Sequence, residues 1–123
     1  KTRQAHQVPL SPESVTLLRR RWPLRASDQG LAFSSRGVKP LSDMTMTRVL
    51  RDLGIEKTTV HGFRSSFTDW AAEKTRFPKE VVDKALAHKL ADRVEAAYRR
   101  TDFFDRRRKL MCAWSRFVTS DQS

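Results

Sequence analysis

A mainly α-helical fold with a small β element, an α+β domain, is predicted for this chain of 123 residues. Two observations predict it. Apolar residues recur three and four positions apart over most of the chain, the period of a helix with one buried face. Prolines and glycines punctuate the ends of those periodic stretches. The length suits one domain and is enough to bury a modest core without disulfide or metal staples.

The elements follow in order. Gln7-Val-Pro-Leu10 is a short apolar run after a basic start, and it reads as a strand near an edge because Pro9 cannot donate to a ladder. Ser11 caps a helix that holds Pro12 in its first turn, places Val15, Leu18 and Trp22 on one face, and is limited by Pro23. Residues 27–30 form a loop, Leu31-Ala-Phe33 a short extended segment, and residues 34–40 another loop. Ser42 or Asp43 caps the next helix, whose stripe is Met46, Val49, Leu50 and Leu53, and Gly54 stops it. After the β-branched connector Thr58-Thr59-Val60, a helix from about His61 to Lys74 turns Phe63, Phe67, Trp70 and Ala71 inward. Pro78 opens a helix with Val81, Val82, Ala85 and Leu86 on its apolar side, and a further helix is expected from about Ala91 to Arg99.

The last helix, from about Asp102 to Val118, carries Phe103, Leu110, Trp114 and Phe117 at helical spacing, widened by Phe104, Met111 and Val118. Such a stripe needs a receiving groove, by default in the same chain and alternatively in a partner subunit. Thr119 to Ser123 is a polar, flexible tail.

Charge bounds the function. Lys and Arg number 25 against 14 acidic residues, a formal net charge of +11. This excess points to a polyanionic partner, with nucleic acid ahead of membrane. It is concentrated in Arg19-Arg20-Arg21, Arg99-Arg100 and Arg106-Arg107-Arg108-Lys109. Arginine dominates these runs, and its planar fork matches phosphate oxygens bidentately.

Other classes lack their signatures. The lone Cys112 cannot form an internal disulfide and reads as a small core residue, compatible with a reducing cytoplasm. There is no bilayer-length apolar run and no signal peptide. No compact metal-ligand spacing, patterned glycine loop, nucleophile elbow or two-metal acidic cluster is found. The chain begins Lys1-Thr-Arg without a methionine and reads as a piece of something longer.

The residues that carry chemistry lie between positions 61 and 98. His61-Gly-Phe-Arg64 is followed by Ala87-His88 and then by Tyr98, the single tyrosine. Breaking a phosphodiester without a metal requires fixed donors for the charge that grows on the phosphate oxygens. It also needs a nucleophile in line with the leaving oxygen and an acid to protonate that oxygen. Arg64 suits the phosphate clamp, and His61 lies one helical turn before it on the same face. His88 can donate to the same phosphate. Tyr98 can act as nucleophile, with Arg99 and Arg100 favouring its phenolate. Singly, each has an ordinary role: His61 as a cap or packing residue, Arg64 in a surface ion pair, His88 at a helix C-terminus and Tyr98 as a half-buried phenol. The combination is what points to phosphoryl chemistry.

These residues resemble the catalytic domain of the tyrosine recombinase (phage integrase) family, closest to its prophage-type integrases. His61-Gly-Phe-Arg64 is similar to that family's His-x-x-Arg box, Leu86-Ala-His88 to its second histidine, and Ala96-Ala-Tyr98-Arg99 to its tyrosine block. The opening Lys-Thr-Arg-Gln-Ala-His-Gln-Val-Pro-Leu-Ser and the late Arg-Arg-Lys-Leu-Met-Cys-Ala-Trp are similar too, so the likeness covers nearly the whole chain. It implies DNA strand cleavage through a 3′-phosphotyrosyl link and religation, on double-stranded DNA, by four protomers, with no metal or nucleotide cofactor. It further implies a general-acid lysine, for which Lys1 holds the matching position and with which Lys39 or Arg3 could be confused; Arg3 is otherwise read as a DNA contact.

The family's further essential arginine and its amino-terminal DNA-clamping domain are not matched in these residues. Residues 1–123 are therefore expected to be a partial catalytic domain, weakly active or inactive alone. The rival readings are a noncatalytic DNA-binding or regulatory module and a strand-cleaving activity of the type IB topoisomerase kind.

Overall fold

The computed structural model describes residues 5–24, 30–35, 39–88 and 101–120. In order these form α1 (Pro12–Arg21), a 3-10 turn (Trp22–Leu24), β1 (Ser34–Ser35), β2 (Lys39–Pro40), α2 (Met44–Asp52), α3 (Gly62–Lys74), α4 (Lys79–Ala85) and α5 (Phe104–Thr119). The mainly helical fold with a small β element stands. The helix expected over residues 91–99 lies outside the described residues, as do residues 121–123 of the expected tail.

The chain divides into two compact units. One comprises Lys1–Pro12 with Phe67–Ser123, and the other Glu13–Ser66.

The first unit holds most of the core. Phe67, Trp70 and Ala71 sit three and four positions apart on α3, so one stripe of that helix is buried. Val81 and Val82 of α4 and Leu110 of α5 close over it. Trp114 adds an aromatic layer, with its ring centroid 5.3 Å from Phe67 in edge-on geometry and 5.0 Å from Trp70. The groove that receives the terminal helix is thus in the same chain, made by α4 and the later turns of α3. Cys112, on α5, is a free and only partly buried thiol.

Between α3 and α4 the chain turns on side-chain bonds. The Thr75 hydroxyl donates to the Ala71 carbonyl at 2.5 Å and accepts from the Phe77 N–H at 3.3 Å. Pro78 then sets the start of α4, and its carbonyl takes the Val81 N–H at 3.0 Å.

The segment read as an edge strand, Gln7 to Leu10, is not a strand. Its groups are held by side chains of α5 instead of a ladder. The Gln7 carbonyl accepts from Arg107 at 2.7 Å, and the buried Ser11 hydroxyl donates to Ser115 at 2.9 Å. Pro9 is buried while Val8 and Leu10 face outward. Alternation of this sort mimics a strand in sequence, but nothing among the described residues pairs with it.

Arg107 corrects a second expectation. It belongs to a basic run read as a phosphate-binding cluster, yet its side chain is fully buried. Its guanidinium donates to the Asp102 carbonyl at 2.8 Å, to the Asp102 carboxylate and to Gln7. Every fork position that could have met a phosphate is turned into the fold. Arg106 and Arg108, on either side, remain exposed.

In the second unit the β element lies where a loop was expected. Ser34 pairs with Pro40 and Ser35 with Lys39 in an antiparallel hairpin, while Leu31 to Phe33 is irregular. Two serines have no apolar alternation, so the hairpin leaves no hydrophobic signature.

At the start of α2, Asp43 holds the cap position, and the Ser42 and Thr45 hydroxyls are hydrogen-bonded to each other at 3.1 Å. The Ser42 carbonyl takes the Thr45 N–H at 3.0 Å, and Asp43 makes no side-chain cap bond. The stop at Gly54 holds. Gly54 has φ of 72°, its N–H bonds the Arg51 carbonyl, and the Ile55 N–H reaches the Leu50 carbonyl at 2.9 Å. This is the Schellman pattern, which needs a left-handed residue at that position. The α2 stripe itself is largely uncovered: Leu50 is buried, whereas Met46, Val49 and Leu53 are exposed. Phe63, expected to point inward from α3, is also exposed.

Candidate functional site

His61 and Arg64 stand at the beginning of α3. Thr59 sets this start: its carbonyl and its hydroxyl both accept from the Gly62 N–H, each at 3.0 Å. The next turn follows when the His61 carbonyl accepts the Arg64 N–H at 3.0 Å. His61 and Arg64 are therefore one turn apart, as their spacing predicts, and both are exposed. The positive end of the α3 dipole adds to the guanidinium charge, so an anion meeting this end is favoured by both. Gly62 cannot easily carry a side chain, since a Cβ there would lie 3.3 Å from the Thr59 hydroxyl that makes the cap.

His88 lies in the other unit, just past the end of α4. Its Nδ1 is 3.3 Å from Oδ1 of Asp83, and the other carboxylate oxygen of Asp83 accepts from Lys79 Nζ at 2.5 Å. Burial of the Asp83 carboxyl pushes its pKa up, but the hydrogen bonds and charges of Lys79 and His88 outweigh that and hold it below the ordinary value. The same bond raises the pKa of Lys79. Sequence reading does not single out Asp83. The available signal is its position four residues after Lys79, which makes a helical ion pair.

Tyr98, Lys1, Arg3, Arg99 and Arg100 lie outside the described residues. Among the described residues, the expected site residues are a His–Arg pair on one unit and, on the other, a histidine hydrogen-bonded to a carboxylate, each within its own surroundings.

A helical fragment with a His-x-x-Arg box at a helix start and a further histidine after the next helix fits the catalytic domain of a tyrosine recombinase. The Phage integrase family profile matches residues 1–104, and the chain belongs to that family. Prophage integrase IntA of Escherichia coli (strain K12) is 32% identical over 126 residues, covering 100% of this chain and 30% of that protein. The integrase of Enterobacteria phage P4 is 29% identical over 129 residues, covering 100% of this chain and 29% of its own. The integrase of Shigella phage Sf6 is 27% identical over 118 residues, 94% of this chain and 30% of its own. The chain thus spans under a third of the length of these relatives. No solved structure matches it. No described helix is long and apolar enough to cross a membrane.

Proposed function

We propose that these residues are part of the catalytic domain of a DNA recombinase that integrates or excises a mobile element at a specific site. In the intact protein Tyr98 attacks the scissile phosphate of duplex DNA. The bond between phosphorus and the 5′-oxygen breaks, that oxygen leaves as a 5′-hydroxyl once protonated, and a 3′-phosphotyrosyl link forms. The freed 5′-hydroxyl later attacks a partner strand's link, which releases the tyrosine and restores the phosphodiester.

Arg64 meets the charge on the non-bridging oxygens, His61 and His88 donate to the same phosphate, and Lys1 protonates the leaving oxygen. Arg3, Arg99 and Arg100 bind the backbone, which positions DNA without reading its sequence. Four protomers act on two duplexes in the cytoplasm, and no metal or nucleotide cofactor takes part. The isolated 123 residues cleave weakly or not at all.

The observation that carries this reading is the family match over residues 1–104, which takes in the His61–Arg64 box, His88 and Tyr98. The test is a suicide DNA substrate given to the intact protein. A covalent protein–DNA adduct is expected from the wild type and none from Tyr98→Phe. DNA binding with no adduct from the wild type would leave a noncatalytic binding module. Plasmid relaxation without strand exchange would leave a topoisomerase-like activity.

A further inference from the structure

The cap that ends α4 has an unusual composition. Its hydrogen bonds are those of a Schellman motif: the Ala87 N–H bonds the Lys84 carbonyl at 3.1 Å, and the His88 N–H bonds the Asp83 carbonyl at 2.9 Å. In such caps the left-handed residue is usually glycine, and the two residues joined by the longer bond commonly meet through apolar side chains. Here the left-handed residue is Ala87, with φ of 53°, and the two residues that meet are Asp83 and His88. Asp83 therefore holds His88 twice, by backbone and by side chain. The carboxylate is largely shielded, at 13% exposed, whereas the imidazole is 44% exposed. Its second oxygen is occupied by Lys79.

Both features depart from the usual cap. A side chain in the left-handed region is disfavoured, and a polar pair takes the place of an apolar contact. The arrangement instead fixes the ring. An imidazole bonded through one nitrogen to a carboxylate has both its orientation and its tautomer set, leaving the other nitrogen for a ligand. The pair also borders a pocket of about 420 Å³ lined by Thr68, Ala71, Phe77 and Val82, which contributes few competing polar groups.

We infer that Asp83 is the positioning residue of His88: it keeps the Nδ1 proton and so assigns Nε2 to the scissile phosphate. This rests on the recombinase reading of His88. When the ring carries two protons, Nε2–H donates to a phosphate oxygen while Nδ1–H stays on Asp83. No bond is made or broken by Asp83 itself.

The first test needs no activity. Nitrogen-15 spectra of the 123-residue chain, at a pH where the ring is neutral, are expected to show His88 protonated at Nδ1. Asp83→Leu, which restores an apolar partner at this cap, is expected to move the proton to Nε2. The same tautomer in both proteins overturns the inference.

The second test uses the intact protein and the suicide substrate. Asp83→Leu is expected to slow adduct formation by about 10- to 100-fold, within the range that a positioned proton donor contributes. In a His88→Ala background the same substitution should cost no more than about twofold, since residues that act as a unit are not additive. An equal loss in both backgrounds makes Asp83 merely structural and overturns the inference. Asp83→Asn keeps the size and one acceptor oxygen, so it guards against misfolding and should lose less than Asp83→Leu. If the wild type itself forms no adduct, the recombinase reading fails, and a role for Asp83 in recombination fails with it, whichever tautomer the ring shows.

Discussion

The guanidinium of Arg107 donates to the main-chain carbonyl of Gln7, 100 residues earlier in the chain, at 2.7 Å. The same side chain bonds the carbonyl and the carboxylate of Asp102, so one buried fork ties the segment before α1 to the residues that lead into α5. Its flat face also lies 5.5 Å from the Phe104 ring. The energetic weight rests on the buried guanidinium, because Asp102 is more than half exposed and water screens that ion pair.

Arg107→Met is expected to destabilise the chain by about 2–3 kcal/mol. It removes hydrogen bonds from a charged donor and strands the Gln7 carbonyl. Arg107→Lys should recover only part of this, because an ammonium cannot span the same three acceptors in a plane. Urea denaturation of the two variants beside the wild type measures both. A loss under 0.5 kcal/mol for Arg107→Met, on the order of an ordinary surface change, would contradict the assignment.

Two backbone positions should respond in opposite directions. Gly54 is left-handed, with φ of 72°, and a Cβ added there meets nothing within 4 Å. Gly54→Ala therefore costs backbone strain alone, about 1 kcal/mol. Ala87→Gly relieves the same strain and should stabilise by about 0.5 kcal/mol, less because glycine also loosens the unfolded chain. Thermal melts should show the first lowered and the second raised by a few degrees.

Trp114→Ala should cost about 3 kcal/mol, at the lower end for a large aromatic because the ring is only partly buried. It loses the layer formed with Phe67, Trp70 and Phe117. Those contacts are within one chain, so the melting temperature of the wild type and the size of the loss should not depend on protein concentration. A melt left unchanged by the substitution would reject this packing.

Acid should weaken the Asp83 cluster. A carboxylate whose pKa is lower when folded stabilises the fold above its unfolded pKa, near 3.8, and loses that contribution as pH falls through the folded value. The stability difference between wild type and Asp83→Asn should therefore shrink as pH falls below about 4. Lys79 has the opposite sign: its raised pKa supports the folded state below 10.5, and the support is lost as pH rises past the folded value. Urea denaturation across this range measures the acid limb in both proteins.

Much of the helical framework could be read from local pattern. Pro12, Gly54 and Pro78 mark element ends because their backbone preferences act without reference to the rest of the chain. The stripe Phe67, Trp70, Ala71 and the valines of α4 declare buried faces through period alone. The His-x-x-Arg spacing likewise places His61 and Arg64 a turn apart, since a helix converts three positions into one turn. What local pattern could not convey depends on partners distant in sequence. Arg107 looks like its exposed neighbours until Gln7 and Asp102 surround it. Gln7 to Leu10 looks like a strand until α5 takes its carbonyl. Phe63 and Met46 look like core residues, but periodicity gives a face and does not say whether anything covers it. His88 differs from a solvated histidine through the carboxylate that the end of α4 folds against it, because burial, charge pairing and tautomer arise only from neighbours in space.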